Sequence, residues 1–452
     1  MPDRVVRALA GTVLARPWFD RAGLFALRHW FFPASRLWAA AHEAEGDVSR
    51  FFPAVPMPAR LDTSQRLARA LARFEAARVS AAAIDEIWER TFFGPNASSP
   101  EKRAAVEASR RQLAHAHNAT RRHFRFLIGP DVPRVKLEIA TPDEVAAVYG
   151  AAQTDVTPFT RAPAVQPAVE VSRKIETAAG YDHWLRFRSP SRRVDDIVYA
   201  RVHEPGGISD PPTIIFGHGI CVEFDQWQGL IDECEALVRL GFRVVRPEAP
   251  WHGRRRLAPE FGGEHLISAF PMGALDAVFA AVQEWAVLAR WARETSRGPL
   301  AFGGTSLGAM TSQFAADRAA DWPAELRPGA LLLLTHTQNL THAVMTGALA
   351  DLWMSRADAE AKGWSEDLAR EYLILLEPRR PLCVPSSHIV SVLGRRDAVL
   401  PFASGRRLVE EWCVPHDNVF IWDRGHFSVP MTLAKDDAPL KRFATVVAAL
   451  QR

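Results

Sequence analysis

The 452-residue sequence contains few cysteines and few lysines. The four cysteines form no C-x-x-C pair, so the sequence predicts neither a disulfide framework nor a structural zinc site. Only six of the 55 basic residues are lysine, and 52 acidic residues reduce the formal net charge to +3. Such an even balance of basic and acidic residues is not typical of nucleic-acid-binding proteins. We therefore expect no metal, no nucleic-acid partner and a reducing, cytoplasmic environment.

Long, purely apolar stretches are also missing. The uncharged runs of 18 or more residues, 298–316 and 328–350, are interrupted by Gly, Ser, Thr, Asn, Gln or His, so no membrane-spanning helix is expected. The apolar stretch near the N-terminus is interrupted by Arg7, ends at Arg16 and lacks a convincing small-residue cleavage site, so we expect no signal peptide. The composition, 48% hydrophobic and 24% charged, is that of an ordinary globular protein and excludes disordered and collagen-like classes.

Residues 1–169 are predicted to form a helical N-terminal extension. Aromatic residues alternate with Arg and His from 19 to 52, which indicates short helices, and residues 62–91 and 100–127 have the apolar spacing of amphipathic helices. The proline-containing stretch 129–167 is the candidate domain boundary. Packing on a cap, contacts in a homo-oligomer and peripheral membrane docking through the aromatics remain alternatives for this extension.

From residue 170 to residue 452, short apolar runs alternate with segments of helical length. This alternation predicts an α/β domain with a mainly parallel, eight-stranded sheet buried on both faces. The predicted strands are 182–187, 196–202, 213–216, 242–245, 300–302, 330–334, 389–393 and 419–422.

A G-x-S-x-G sequence, Gly304-Thr305-Ser306-Leu307-Gly308, follows the fifth predicted strand and precedes a helical segment. In a sharp strand-to-helix turn the glycines leave room for the backbone, and the serine is exposed above the sheet. Ser306 is therefore the candidate nucleophile.

A serine hydroxyl needs a neutral imidazole to take its proton and a carboxylate to orient that imidazole. Asp397 follows the seventh predicted strand and His426 follows the eighth. The loop after the sixth strand offers no carboxylate, and Asp423 is too close in sequence to His426 to reach its ring easily. We therefore predict Ser306, Asp397 and His426 as a catalytic triad.

With these residues in the chain order Ser, Asp, His, the sequence resembles the esterase- and lipase-like serine hydrolases of the α/β-hydrolase fold over about residues 170–452. The resemblance implies an oxyanion hole made by the backbone N–H groups of Ile220 and Leu307. It also implies that residues 338–380, between the sixth and seventh strands, form a helical cap. No cofactor is implied.

Three further residues are candidates for contact with the substrate. His218, in the turn Gly217-His218-Gly219, is either structural or near the substrate. Arg254 lies in a loop that follows a strand, so it either binds a substrate carboxylate or phosphate or forms a salt-bridged loop. Trp353 is the candidate pocket residue of the cap.

The sequence thus predicts a cytoplasmic serine esterase that acts on a small-molecule carboxylic ester. The same triad also serves hydrolases of amides, thioesters or carbon–carbon bonds and acyltransferases, because these activities differ in the pocket. A non-catalytic binding protein built on the same fold is the alternative of another class.

Overall fold

The structure is a computed structural model. It describes residues 17–55, 63–221, 233–345, 347–348, 352, 356–378 and 383–451. The predicted pocket residue Trp353 lies outside these described residues.

One mixed sheet, of ten strands in the described residues, forms the centre of the molecule. The strands are β1 (Glu170–Val171), β2 (Ile175–Thr177), β3 (Gly180–Arg188), β4 (Ile197–Pro205), β5 (Thr213–Gly217), β6 (Arg243–Pro247), β7 (Leu300–Thr305), β8 (Ala330–Leu334), β9 (Ile389–Gly394) and β10 (Val419–Trp422). Their order is β1-β3-β4-β6-β5-β7-β8-β9-β10, and β2 pairs with β3.

The six strands from β6 to β10 in this order are parallel, whereas β4 runs antiparallel to β6. This arrangement, with a serine at the sharp turn after β7, is the α/β-hydrolase fold, as predicted. The prediction of eight strands missed β1 and β2. These strands are only two and three residues long and mostly exposed, so they carry no apolar pattern.

Seven α-helices precede the sheet in the described residues: α1 (Pro17–Ala26), α2 (Phe32–Ala44), α3 (Val48–Ala54), α4 (Ser64–Phe92), α5 (Pro100–Ala119), α6 (Pro142–Tyr149) and α7 (Thr157–Thr160). Leu27–Phe31 is a π-helical turn, and Thr120–Leu127 continues α5 as a 3-10 helix. Helices α6 and α7 lie within the proline-containing stretch 129–167, the candidate domain boundary. Thr141 and Glu144 form a capping box at the start of α6, and such a box stabilises a short helix.

The helices of the second part are α8 (Glu233–Arg239), α9 (Glu264–Ser268), α10 (Met272–Thr295), α11 (Leu307–Arg318), α12 (Leu340–Met345), α13 (Arg356–Glu360), α14 (Glu366–Leu373), α15 (Phe402–Glu411), α16 (Ser428–Leu433) and α17 (Ala438–Ala449). By length and composition α10 could cross a membrane, but most of it is buried inside the protein. Its apolar composition is therefore explained by its position in the core.

The N-terminal helices share one hydrophobic core with the sheet. Trp38 of α2 and Phe74 of α4 belong to the same buried cluster as Leu185 of β3 and Ile215 of β5. The indole of Trp364, in the segment 338–380, donates a hydrogen bond to the backbone oxygen of Ala140. The N-terminal helices and this segment are therefore packed as parts of one body.

Candidate active site

Ser306 lies at the turn between β7 and α11. Its backbone has φ 57° and ψ −116°, a strained conformation for a residue with a Cβ atom. Its N–H donates to the carbonyl of Leu334 in β8, at 2.9 Å. The turn thus holds the serine at the carboxyl edge of the parallel strands.

Three glycines allow this turn to form. A Cβ atom at Gly308 would overlap the backbone carbonyl of Gly217, and one at Gly304 would overlap the backbone of Gly308. The end of β5, the end of β7 and the start of α11 therefore meet through backbone atoms alone. Both glycines of the motif are required by this close approach.

His426 connects the serine to the carboxylate. Its Nε2 lies 2.9 Å from Oγ of Ser306, and its Nδ1 lies 2.8 Å from Oδ2 of Asp397. A carboxylate only accepts hydrogen bonds, so Nδ1 carries the hydrogen and Nε2 accepts from the serine hydroxyl. The three predicted residues therefore form one continuous chain of hydrogen bonds.

The carboxylate of Asp397 is fixed by its own loop. Its Oδ1 accepts hydrogen bonds from the N–H groups of Val399 and Leu400, at 2.9 and 2.8 Å. Ser306, Asp397 and His426 are each less than a tenth exposed. Their hydrogen bonds therefore compete little with water. Asp423, which the sequence analysis set aside, forms an exposed ion pair with Arg396.

The two predicted oxyanion donors lie on elements that meet. Leu307 is the first residue of α11, where backbone N–H groups have no partner within the helix. Ile220 follows β5, whose last residue Gly217 contacts Gly308 of α11. The start of a helix also favours negative charge. A developing oxyanion near both residues would find suitable donors.

Two buried histidines join the loop that carries Ile220 to the loop after β6. Nε2 of His218 accepts the N–H of Ala249, and Nε2 of His252 accepts the N–H of Cys221, both at 3.0 Å. Burial lowers the pKa of His218 well below its ordinary value and that of His252 to about 4. Both rings are therefore neutral acceptors at neutral pH.

The structure thus gives His218 a structural role. Its Nδ1 contacts the backbone oxygen of Gly219, so both ring nitrogens are engaged by backbone. His252 plays the reciprocal part and is not among the predicted site residues, although the His252-Gly253 pair follows a strand end just as the His218-Gly219 pair does.

Arg254 forms salt bridges, as the second interpretation of its loop expects. Its guanidinium binds Glu89 and Asp85 of α4, at 2.8 and 2.7 Å, and lies 4.1 Å from the ring centre of Trp88. The substrate-binding prediction for Arg254 is therefore not supported. Its strand-end position was misleading because the sequence does not reveal that α4 packs against this loop.

Sequence reasoning also missed two acids next to the triad. Asp20 of α1 accepts hydrogen bonds from the N–H of Phe427 and from Oγ of Ser428, both at 2.6 Å. Glu233 of α8 accepts the hydroxyl of Thr305, at 2.9 Å. Neither acid follows a strand, so no local signal connects it with the site. Among the described residues, no three His, Cys, Asp or Glu side chains are grouped as metal ligands would be.

No family model matches the chain, and no curated protein matches it. It is similar to solved structures of a cold-adapted esterase from an Arctic intertidal metagenomic library (17% identity, 62% of this chain and 96% of the other, TM-score 0.38). Others are acetyl xylan esterase 1 from Thermoanaerobacterium sp. (14%, 69% and 96%, 0.44) and an S-formylglutathione hydrolase from Agrobacterium tumefaciens (14%, 61% and 99%, 0.40). At 14–17% identity the likeness concerns the fold alone.

Proposed function

We propose that this protein is a serine hydrolase that cleaves a carboxylic ester through Ser306, His426 and Asp397. The observation that carries the proposal is the unbroken chain of hydrogen bonds from Oγ of Ser306 through His426 to Asp397, with distances of 2.9 and 2.8 Å. This is the arrangement that activates a serine for attack on an acyl carbon.

In the first half of the reaction, Oγ of Ser306 attacks the ester carbonyl carbon and its proton moves to Nε2 of His426. The carbonyl oxygen becomes an oxyanion that accepts hydrogen bonds from the N–H groups of Ile220 and Leu307. The intermediate then collapses, the carbon–oxygen bond to the alcohol breaks, and His426 returns the proton to the leaving oxygen. An acyl-enzyme and a free alcohol result.

In the second half, water replaces the alcohol. His426 takes a proton from the water as its oxygen attacks the acyl-enzyme, and it then protonates Oγ of Ser306 as the acid leaves. Asp397 keeps the imidazole in the tautomer with hydrogen on Nδ1 throughout and stabilises the imidazolium when it forms.

The segment 338–380 is proposed to cover this site. Ala343 of α12 packs with Val399 and Leu400, the two residues whose N–H groups hold the carboxylate of Asp397. A helix in contact with the loop that carries Asp397 is well placed to limit access to the triad. Trp353 remains a candidate pocket residue on sequence grounds alone.

Labelling with a fluorophosphonate probe tests the nucleophile. The probe phosphonylates an activated serine, so we expect wild type to be labelled stoichiometrically and Ser306→Ala not to be labelled. The matched control is Ser209→Ala, since Ser209 is exposed in a loop remote in sequence from the triad. Full labelling of Ser306→Ala, or no labelling of wild type, would exclude the proposed nucleophile.

Turnover of nitrophenyl esters tests the reaction class, with matched amides and thioesters as competitors. We expect Asp397→Asn to lower kcat by about four orders of magnitude, because the imidazole then takes the wrong tautomer. If amides or thioesters react faster than esters while labelling persists, the triad stands and the substrate class changes. If labelling also fails, a non-catalytic role becomes the better account.

A further inference from the structure

A cavity of about 420 Å³ lies beside His426, between α1 and the loop of Asp397. Its lining includes Trp18, Arg21, Leu24, Val399, His426 and Phe427. Four of the nine lining residues come from one N-terminal helix, α1. This helix lies outside the part of the sequence that resembles hydrolases. His426 of the proposed triad is one of the residues that line the cavity.

The walls of this cavity are fixed to the triad. Phe427 follows His426 directly, and its N–H donates to the carboxylate of Asp20 in α1. On the other side, the N–H of Val399 donates to Asp397. Both walls are therefore held by hydrogen bonds to residues at or next to the triad, so the cavity keeps its position relative to the imidazole.

The lining is mainly apolar, and its charges are largely compensated. Both carboxylate oxygens of Asp20 accept hydrogen bonds. Arg396 also lines the cavity, but it forms a two-point ion pair with Asp423, at 2.6 and 2.7 Å. Arg21 is exposed. Trp18, Leu24 and Phe427 therefore leave mostly carbon surface for a ligand, and apolar surface binds through burial.

We propose that this cavity binds the alcohol part of the substrate, and that this part is apolar and at least as large as one aromatic ring. The inference rests on the proposed function. His426 must deliver its proton to the leaving alcohol oxygen, so that oxygen lies within hydrogen-bond reach of the imidazole. The group attached to the oxygen then continues into the space beside His426, whereas the acyl part lies toward Ile220 and Leu307.

The size of the cavity agrees with a ring-sized alcohol. An apolar cavity of about 150 Å³ holds benzene, so 420 Å³ leaves room for a two-ring group. A methyl or ethyl group would fill little of it and would gain little from burial. The alcohol part is thus the component of the ester for which α1 selects.

Acetate esters of alkyl alcohols with similar acidity test this proposal: ethyl, benzyl and naphthylmethyl acetate. Their acyl part and leaving-group chemistry are nearly constant, so kcat/KM reports the binding of the alcohol part. We expect wild type to prefer benzyl and naphthylmethyl acetate over ethyl acetate by about tenfold or more. An ethyl preference would overturn the proposal.

Leu24→Trp is designed to fill the cavity and to reduce that preference by about tenfold. Ala398→Phe, at an exposed lining residue on the opposite wall, is the second filling variant in case α1 tolerates no larger side chain. The control is Phe25→Ala on the same helix, since Phe25 is 66% exposed and is not among the residues that line the cavity. It should keep the wild-type ranking.

A binding measurement separates this inference from the proposed reaction. Naphthalenemethanol should bind to the Ser306→Ala variant, and Leu24→Trp in that background should weaken binding about tenfold. Ester turnover with no change of alcohol ranking in either filling variant would refute the cavity assignment alone. A changed ranking among ethyl esters of different acyl chains would instead assign the cavity to the acyl part. No binding of the alcohol and no turnover would overturn both.

Discussion

Oγ of Ser428 donates a 2.6 Å hydrogen bond to the carboxylate of Asp20, although 408 residues separate them in the chain. The same Oγ accepts the N–H of Gly425 at 2.9 Å. Gly425 and Phe427, the residues on both sides of His426, are thereby connected to α1 by hydrogen bonds. The N-terminal helices therefore contribute to the geometry of the proposed triad as well as to the core.

Removing this carboxylate should misplace the imidazole without removing it. We expect Asp20→Ala to lower kcat for a short ester by about 10- to 100-fold with little change in KM, because a small displacement of a catalytic group is costly. Asp20→Asn, which can still accept the N–H of Phe427, should recover part of the loss. Steady-state kinetics at several pH values provides the measurement.

A double-mutant cycle isolates the contact. The cycle compares Asp20→Ala, Ser428→Ala and the double variant. We expect a coupling energy of about 1 to 3 kcal/mol, calculated from the kcat values, because a hydrogen bond to a charged group contributes about this much. Additive effects would mean that Asp20 acts through the stability of α1 alone. An unchanged kcat in Asp20→Ala would show that the loop holds His426 without help.

The sequence could predict that Ser306, Asp397 and His426 lie close together, because each follows a strand with a clear apolar pattern, such as Leu300–Thr305 of β7. It could not predict Asp20, since hydrogen bonds across hundreds of residues leave no trace in local spacing. Helix α6 is a different case. Thr141 and Glu144 have the spacing of a capping box, which indicates the start of a helix. The neighbouring prolines, however, are typical of a loop.

Arg254 is expected to contribute to stability and not to substrate binding. Its side chain is 16% exposed and binds two carboxylates of α4. Arg254→Ala should lower the free energy of unfolding by about 2 kcal/mol and leave kcat/KM within about threefold. Urea unfolding and ester kinetics measure the two effects separately.

Arg254→Lys is the matched variant, because lysine keeps the charge and loses the planar two-point contact. An intermediate loss of stability is expected from it. A raised KM for anionic esters with unchanged stability would restore the substrate-binding role.

Stability should fall in mild acid because of the buried histidines. Burial, assisted by the charge of Arg255, lowers the pKa of His252 from 6.5 to about 4, and burial lowers that of His336 to about 3. Between these values and 6.5 the unfolded chain binds protons that the folded protein does not. Stability is therefore complete above about pH 6.5 and is lost as the pH falls, by about 3 kcal/mol for His252.

Urea unfolding as a function of pH checks this slope. His252→Gln removes one titrating group, so the free energy of unfolding should depend less on pH, by up to about 1.4 kcal/mol per pH unit between about pH 6 and pH 4.5. The control is His416→Gln, at an exposed position. A slope that is identical in wild type and His252→Gln would mean that His252 titrates alike in the folded and unfolded states.

The central strands of the sheet can be predicted from the apolar pattern of the sequence alone. Ala330–Leu334 of β8 is apolar at every position because both faces of the strand are covered. The short strands β1 and β2 are mostly exposed, and both pair with β3. The docking of α4 on Arg254 likewise depends on tertiary contacts, so the sequence could not decide between the two interpretations of that loop.

Gly308 provides the sharpest test of the serine turn. Its Cβ position is occupied by the carbonyl of Gly217, and backbone atoms of a central strand cannot move aside cheaply. We expect Gly308→Ala to cost about 3 kcal/mol or more in the free energy of unfolding and to slow fluorophosphonate labelling of Ser306, because α11 must shift to make room.

Gly150→Ala is the matched control. Gly150 has no atom within 4 Å of its Cβ position and a φ of −55°, so alanine should be neutral or stabilising there. Wild-type labelling and stability in Gly308→Ala would show that the contact between β5 and α11 is looser than these backbone positions require.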